Sequence, residues 1–249
     1  MQIMEEIVFT TNYEILDADC KKGDVIALLK GKGENLVRLN GETILRLPTG
    51  HSMIRWTENH FCLLRGPILS FYTPTGELMD EMEAGPCISD LFPFKNGVIC
   101  TYSDQGVFGE GMGKHILNYA EPGKGVTSLE DFALRHHLLY DALFARFKPY
   151  ACIDPSKDEL IFFNHQLKME KSIKIPFHTG NVLAFALTYQ SGVFLEEERM
   201  RIWKFQTNQV KEYDFQWNNH TRAIFHRHDY LFMDIADHHI RVFTPAAED

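Results

Sequence analysis

Apolar and polar residues along this chain fall into short strand-like runs whose order recurs about every 40 residues. Six apolar segments carry Ala27, Cys62, Cys100, Cys152, Leu195 and Met233 at one repeated position, at intervals of 35, 38, 52, 43 and 38 residues. Each leads through a connection into a second apolar run, at 35–39, 68–72, 115–119, 160–163, 201–205 and 239–243, and such pairs have the pattern of β-hairpins. Turn signals such as Asn40-Gly41 and Pro74-Thr75-Gly76 follow most of them. Several repeats then add a polar outer strand (42–47, 77–83, 167–175 and 209–216) whose alternating charges suit an exposed sheet edge. An innermost strand fits upstream of each hairpin, at 13–18, 52–57, 88–94, 140–145, 183–189 and 222–226. Four strands repeated six times predict an all-β, six-bladed β-propeller, in which each small sheet buries its faces against its neighbours.

The sixth repeat ends at 244–249 without an outer strand, whereas residues 2–8 show the same alternation as 209–213. The first strand is therefore predicted to pair with the last blade and close the ring, which hides two edges that an open array would expose. The long interval of 52 residues holds an insertion at about 109–137, where Ser128-Leu129-Glu130-Asp131 is predicted to cap a short helix carrying Phe132, Leu134 and Leu138. With no linker-like or low-complexity stretch, residues 1–249 are expected to form one domain.

A hydrophobic content of 45%, with 19 Phe, 9 Tyr and 3 Trp, supplies a packed core and excludes a disordered chain. The N-terminus has neither the basic flank nor the apolar run of a signal peptide, and no run approaches the ~20 residues that span a bilayer. Five cysteines, three of them at the interior repeat position, predict reduced core thiols and a cytosolic compartment. A net charge of −9 with scattered Lys and Arg argues against nucleic acid as a partner and leaves a protein or a small molecule.

The loop of the third repeat, 102–113, contains four glycines where other repeats spend only a few residues, so its backbone can approach another group closely. Residues Tyr102-Ser103-Asp104-Gln105-Gly106-Val107-Phe108-Gly109 resemble the signature Tyr-Phe-Asp-Glu-Gly-Val-Phe-Gly of a group of uncharacterised bacterial β-propeller proteins, departing from it at Ser103 and Gln105. Tyr140-Asp141-Ala142-Leu143 resembles that group's second element. The resemblance implies the propeller and no established activity. Tyr102, Asp104, Gly106, Phe108 and Glu110 are the candidate ligand-binding residues; alternatively, Asp104 starts a tight turn and the glycines satisfy positive φ. His226 and His228 share one face of an extended strand, and with Asp234 they form the candidate metal set; alternatively the pair packs with solvated tips. Asp104, Asp154, Asp158, Glu197, Asp234 and Asp237 come from corresponding loops of successive repeats and form a candidate acidic collar for calcium or a cationic partner; alternatively they are a solvated charge rim, and alternation puts some of them on strands, so not all face the same opening.

No Gly-x-Ser-x-Gly elbow, ordered triad or phosphate-binding glycine loop is present. The sequence implies no organic cofactor, and a divalent cation is the one cofactor its residues suggest. Three function classes remain: a binding or interaction module, a metal-dependent hydrolase or lyase of the lactonase-like propeller kind, and a structural subunit suggested by Trp203, Phe215 and Trp217, aromatics that look exposed or alternatively pack between blades.

Overall fold

The structure, a computed structural model, describes residues 2–107, 115–146, 150–217, 220–226 and 230–246. The strands form six blades of a β-propeller, as the repeat predicts. After β1 (Gln2–Thr10), the first blade comprises β2 (Glu14–Lys21), β3 (Asp24–Lys30), β4 (Asn35–Leu39) and β5 (Glu42–Leu47). The second comprises β6 (His51–Trp56), β7 (Phe61–Arg65), β8 (Ile68–Tyr72) and β9 (Leu78–Glu83). The third contains β10 (Ile88–Phe94), β11 (Gly97–Tyr102), β12 (Leu117–Glu121) and β13 (Gly125–Ser128), with α1 (Asp104–Val107) inside the loop and α2 (Glu130–Arg135) after it. The fourth blade contains β14 (Phe144–Ala145), β15 (Tyr150–Asp154), β16 (Glu159–Phe163) and β17 (Met169–Lys174). The fifth contains β18 (Ala184–Leu187), β19 (Ser191–Glu196), β20 (Arg199–Lys204) and β21 (Gln209–Asp214). In the sixth, β22 (Arg222–His226), β23 (Tyr230–Ile235) and β24 (His239–Ala246) are completed by β1.

That completion is the predicted closure: β1 runs antiparallel to β24 from Gln2 opposite Ala246 to Thr10 opposite His239, with one register shift between Ile7 and Phe9. The chain divides into two compact units. One consists of Met1–Thr10, Cys20–Gly23 and Leu143–Asp249, and the other of Thr11–Asp19 and Asp24–Ala142.

The repeated position is interior in every blade. Ala27, Cys62, Cys100 and Cys152 are fully buried, as is Met233, and Leu195 is nearly so. Cys62 and Cys100 share one core with Leu64, Phe71, Leu91 and Tyr102, which cements the second blade to the third. Fourth- and fifth-blade residues Ile153, Phe162, Phe185 and Trp203 pack in the same way. Each such side chain contributes roughly 1.5–3 kcal/mol of burial, so the blade interfaces hold much of the fold together. All five cysteines are free thiols, Cys87 alone being exposed. Burial pushes the Cys62 thiol up to about 12, which keeps it protonated and inert at neutral pH.

The insertion differs from expectation. Residues 117–128 are a regular hairpin that gives the third blade its outer strand, and the addition that remains is α2 and its flanking turns. Short β13 lacks the alternating charges of the other outer strands, which is why the pattern missed it. Ser128 accepts the Glu130 N–H at 3.2 Å, one position earlier than a capping box would place that bond. In the fourth blade the inner strand shrinks to Phe144–Ala145, because residues 140 and 141 form a turn with Asp141 at φ 53°. Asn40 and Gly41 both take positive φ, 50° and 92°, as the predicted tight hairpin turn requires.

A charged knot ties the inner strands of the first three blades. Arg55 on β6 is buried, with Nη1 2.5 Å from Asp17 of β2, Nη2 on Asp90 of β10 and Nε 3.0 Å from the Leu91 carbonyl. Asp17 also accepts the Ile54 N–H at 2.8 Å, and Asp19 accepts that of Trp56 at 2.7 Å. Burial alone would lower the Arg55 pKa, but Asp17, Asp90 and Asp19 outweigh it and hold the guanidinium firmly charged.

Candidate functional site

Antiparallel register fixes which segments meet at one end of the fifth blade. Ala184 lies opposite Leu195, Glu196 opposite Arg199, and Arg199 opposite Asp214. The residues entering β18, the hairpin tip at 197–198 and the residues leaving β21 therefore emerge together. Around them lies an open cavity of about 1100 Å³, lined among others by Phe177, Leu183, Glu197, Glu198, Asp214 and Trp217.

Two guanidinium groups serve this wall. Arg201 Nη1 sits 2.6 Å from the buried Glu196 carboxylate, its Nε sits 3.0 Å from Glu212, and its Cζ lies 4.8 Å above the Phe177 ring. Arg199 reaches Glu212 at 3.3 Å. Both cations are thereby spent on carboxylates of the blade itself. Glu197, Glu198 and Asp214 are exposed and, among the described residues, have no ion-pair partner. The cavity thus carries four carboxylates against two guanidinium groups. Trp217 is half-buried with its ring 5.5 Å from Phe215, which packs in turn on Phe243, while Leu183 is 56% exposed at the rim. Trp203 and Phe215 are buried between blades, as the packing alternative has it, and of the three aromatics Trp217 alone reaches the cavity.

At the cavity mouth His178 Nδ1 lies 3.3 Å from Asp158 Oδ1. Burial would raise the Asp158 pKa, but the Thr179 N–H and hydroxyl both donate to this carboxyl and, with the His178 and Lys174 charges, hold it below its ordinary value. Other carboxylates of the predicted acidic rim also turn inward. Asp154 is buried and accepts bonds from the Ser156 N–H at 3.0 Å and the Ser156 hydroxyl at 2.6 Å. Asp234 is buried, accepts the Thr221 hydroxyl at 2.8 Å and pairs with Arg241 at 2.7 Å.

The candidate residues of the third-blade loop lie elsewhere. Tyr102 is fully buried: its hydroxyl donates to the Ala84 carbonyl and accepts from Asn118 Nδ2 at 2.8 Å, and burial raises its pKa. Asp104 is exposed and accepts the Gln105 N–H at 2.7 Å, opening the single turn α1. Gly106 lacks room for a side chain, since a Cβ would stand 3.1 Å from that of Cys87 and 3.2 Å from the Pro86 carbonyl. Its close backbone approach is to the protein itself. Tyr102 and Asp141 are adjacent, the Asp141 N–H donating to the Tyr102 carbonyl at 3.0 Å. Phe108 and Glu110 lie outside the described residues, as do His228 and the side chain of His226. Among the described residues, no three His, Cys, Asp or Glu side chains converge as metal ligands.

Sequence reasoning reached Glu197 but missed Phe177, Arg201 and Asp214. One usable signal was present. Arg199 and Arg201 alternate with the apolar Met200 and Ile202, which puts both cations on one face of a strand whose neighbour, β21, carries Glu212.

No protein-family model matches the sequence, and no curated protein is detectably similar to it. Solved structures are. Virginiamycin B lyase from Staphylococcus aureus aligns over 98% of this chain and 100% of its own at 10% identity, with a TM-score of 0.55. A streptogramin B lyase aligns over 97% of each chain at 9% identity, with a TM-score of 0.57. A chain of the mitotic checkpoint complex aligns over 94% of this chain and 73% of its own at 9% identity, with a TM-score of 0.53. The chain has the β-propeller fold. At such low identity the likeness extends to architecture and no further.

Proposed function

We propose that this propeller is a binding module that docks its ligand or protein partner in the cavity at the end of the fifth blade. The observation that carries the reading is the pairing of uncompensated carboxylates with an aromatic and an aliphatic side chain around one open cavity, on connections held by a rigid sheet. A chain of the mitotic checkpoint complex among its structural neighbours supports an interaction role. Buried, unpaired thiols support a reducing, cytosolic setting, and no helix of the described residues is long and apolar enough to cross a membrane.

A second reading, a metal-dependent hydrolase or lyase, takes its motive from the two lyases among the neighbours and from His226, His228 and Asp234. Against it, both Asp234 oxygens are engaged by Thr221 and Arg241. The test is a thermal-shift screen of divalent metals, metabolites and peptides on the wild-type protein and on Asn181→Trp, which fills the cavity from an exposed position. A ligand whose stabilisation disappears in Asn181→Trp supports the cavity. Stabilisation by a metal alone, unchanged in Asn181→Trp, supports the enzyme and refutes the module.

A further inference from the structure

We propose that the occupant of the fifth-blade cavity is an extended protein segment that presents an arginine or lysine beside an apolar residue; this rests on the binding-module reading above.

Charge selects the cation. Glu197, Glu198 and Asp214 converge on one cavity with no ion-pair partner among the described residues, while the two nearby guanidinium groups are committed to Glu196 and Glu212. Like charges gathered around one open cavity repel, so each gains when a cation enters and an anion is turned away. The wall already displays the chemistry expected of the ligand: Arg201 lies over the Phe177 face while its nitrogens meet carboxylates. Trp217 and the free carboxylates offer an incoming basic side chain the same combination.

Size and rim select a segment over a free amine. A cavity of about 1100 Å³ lies just above the range of small-molecule sites, well beyond one basic side chain. Leu183, 56% exposed on the connection into β18, supplies an apolar contact that a simple polyamine would leave unused. An alternating basic and apolar segment fills both.

The test is fluorescence anisotropy with four labelled eight-residue peptides: alternating Arg-Leu, the same peptide with Glu for Arg, an Arg-Ser peptide and a Ser-Leu peptide. Spermine serves as unlabelled competitor. The Arg-Leu peptide is expected to bind at least about tenfold more tightly than the other three, a difference of about 1.4 kcal/mol. Raising salt from 0.05 to 0.5 M weakens that binding, as screened exposed charges demand. Glu197→Gln with Glu198→Gln, both on an exposed hairpin tip, weakens it about tenfold or more with an unchanged melting temperature. Trp217→Phe weakens it less than Trp217→Ala.

Equal binding of Arg-Leu and Arg-Ser, or displacement by equimolar spermine, overturns the segment in favour of a free cation. Preference for the Glu-Leu or Ser-Leu peptide, with that binding lost in Asn181→Trp, overturns the basic partner and leaves the module intact. Binding of no peptide to the cavity overturns the inference, and the module then stands or falls on the metabolite arm of the earlier screen.

Discussion

Replacing Arg55 by leucine separates the charged knot from the hydrophobic packing around it. Asp17 keeps the Ile54 N–H, loses the Arg55 guanidinium, and its carboxylate stays buried. Stranding one partner of a buried ion pair costs about 3–5 kcal/mol. The Asp90 arm adds little, because that carboxylate is half exposed and screened. At roughly 2–4 °C per kcal/mol for a chain of this size, the melting temperature falls by about 6–20 °C. Urea titration followed by tryptophan fluorescence measures the loss as a lower midpoint with unchanged slope.

A second substitution identifies the cause. Adding Asp17→Leu to Arg55→Leu restores much of the stability lost at pH 7. A loss below about 1 kcal/mol in Arg55→Leu, or no recovery in the double variant, refutes the assignment of the knot to the fold.

Burial holds the His51 pKa below 6.5, outweighing the Pro48 carbonyl that its ring meets at 3.0 Å. Wild-type stability therefore declines as pH drops below about 6.5, and His51→Gln flattens that slope in urea titrations at pH 7 and pH 5.5. Thiol titration with an aromatic disulfide reagent should find Cys87 alone fast-reacting in the native protein and all five cysteines reactive in denaturant, whereas rapid reaction of Cys62 would contradict its burial. Truncation of residues 1–10 strips the partner from β24 and removes buried Phe9, so it should lower the melting temperature and cause concentration-dependent association by light scattering. An unchanged monomer would contradict the closure.

The architecture was legible because it rests on local periodicity. Blade hairpins follow from alternation and turn residues, and β10 and β22 begin and end where the pattern placed them. Closure was legible too, since an outer strand missing at one end was matched by a spare strand at the other. Exceptions arose where local signals were weak. Four-residue β13 carries no distinctive pattern, and the positive φ of Asp141 ends what looked like a longer inner strand. The cavity was less legible, because its walls come from separate stretches near residues 177–183, 196–201 and 214–217, with Thr221, that only the folded register assembles. Alternation showed that not every carboxylate of the collar faces one opening, but not that Asp154 and Asp234, both on strands, are the ones that turn inward to meet Ser156 and Arg241. At Asp104 the turn reading describes what the backbone does, whereas Gly106 does not take positive φ and instead lies close to Cys87 and Pro86.

Hydrogen exchange of the intact protein with and without saturating Arg-Leu peptide tests the central claim most directly. The account predicts slowed exchange confined to the connections at 177–183, 197–201 and 215–217, with 103–106 unchanged. Protection at 103–106, with the fifth-blade connections unaffected, would return the site to the third-blade loop and contradict the account.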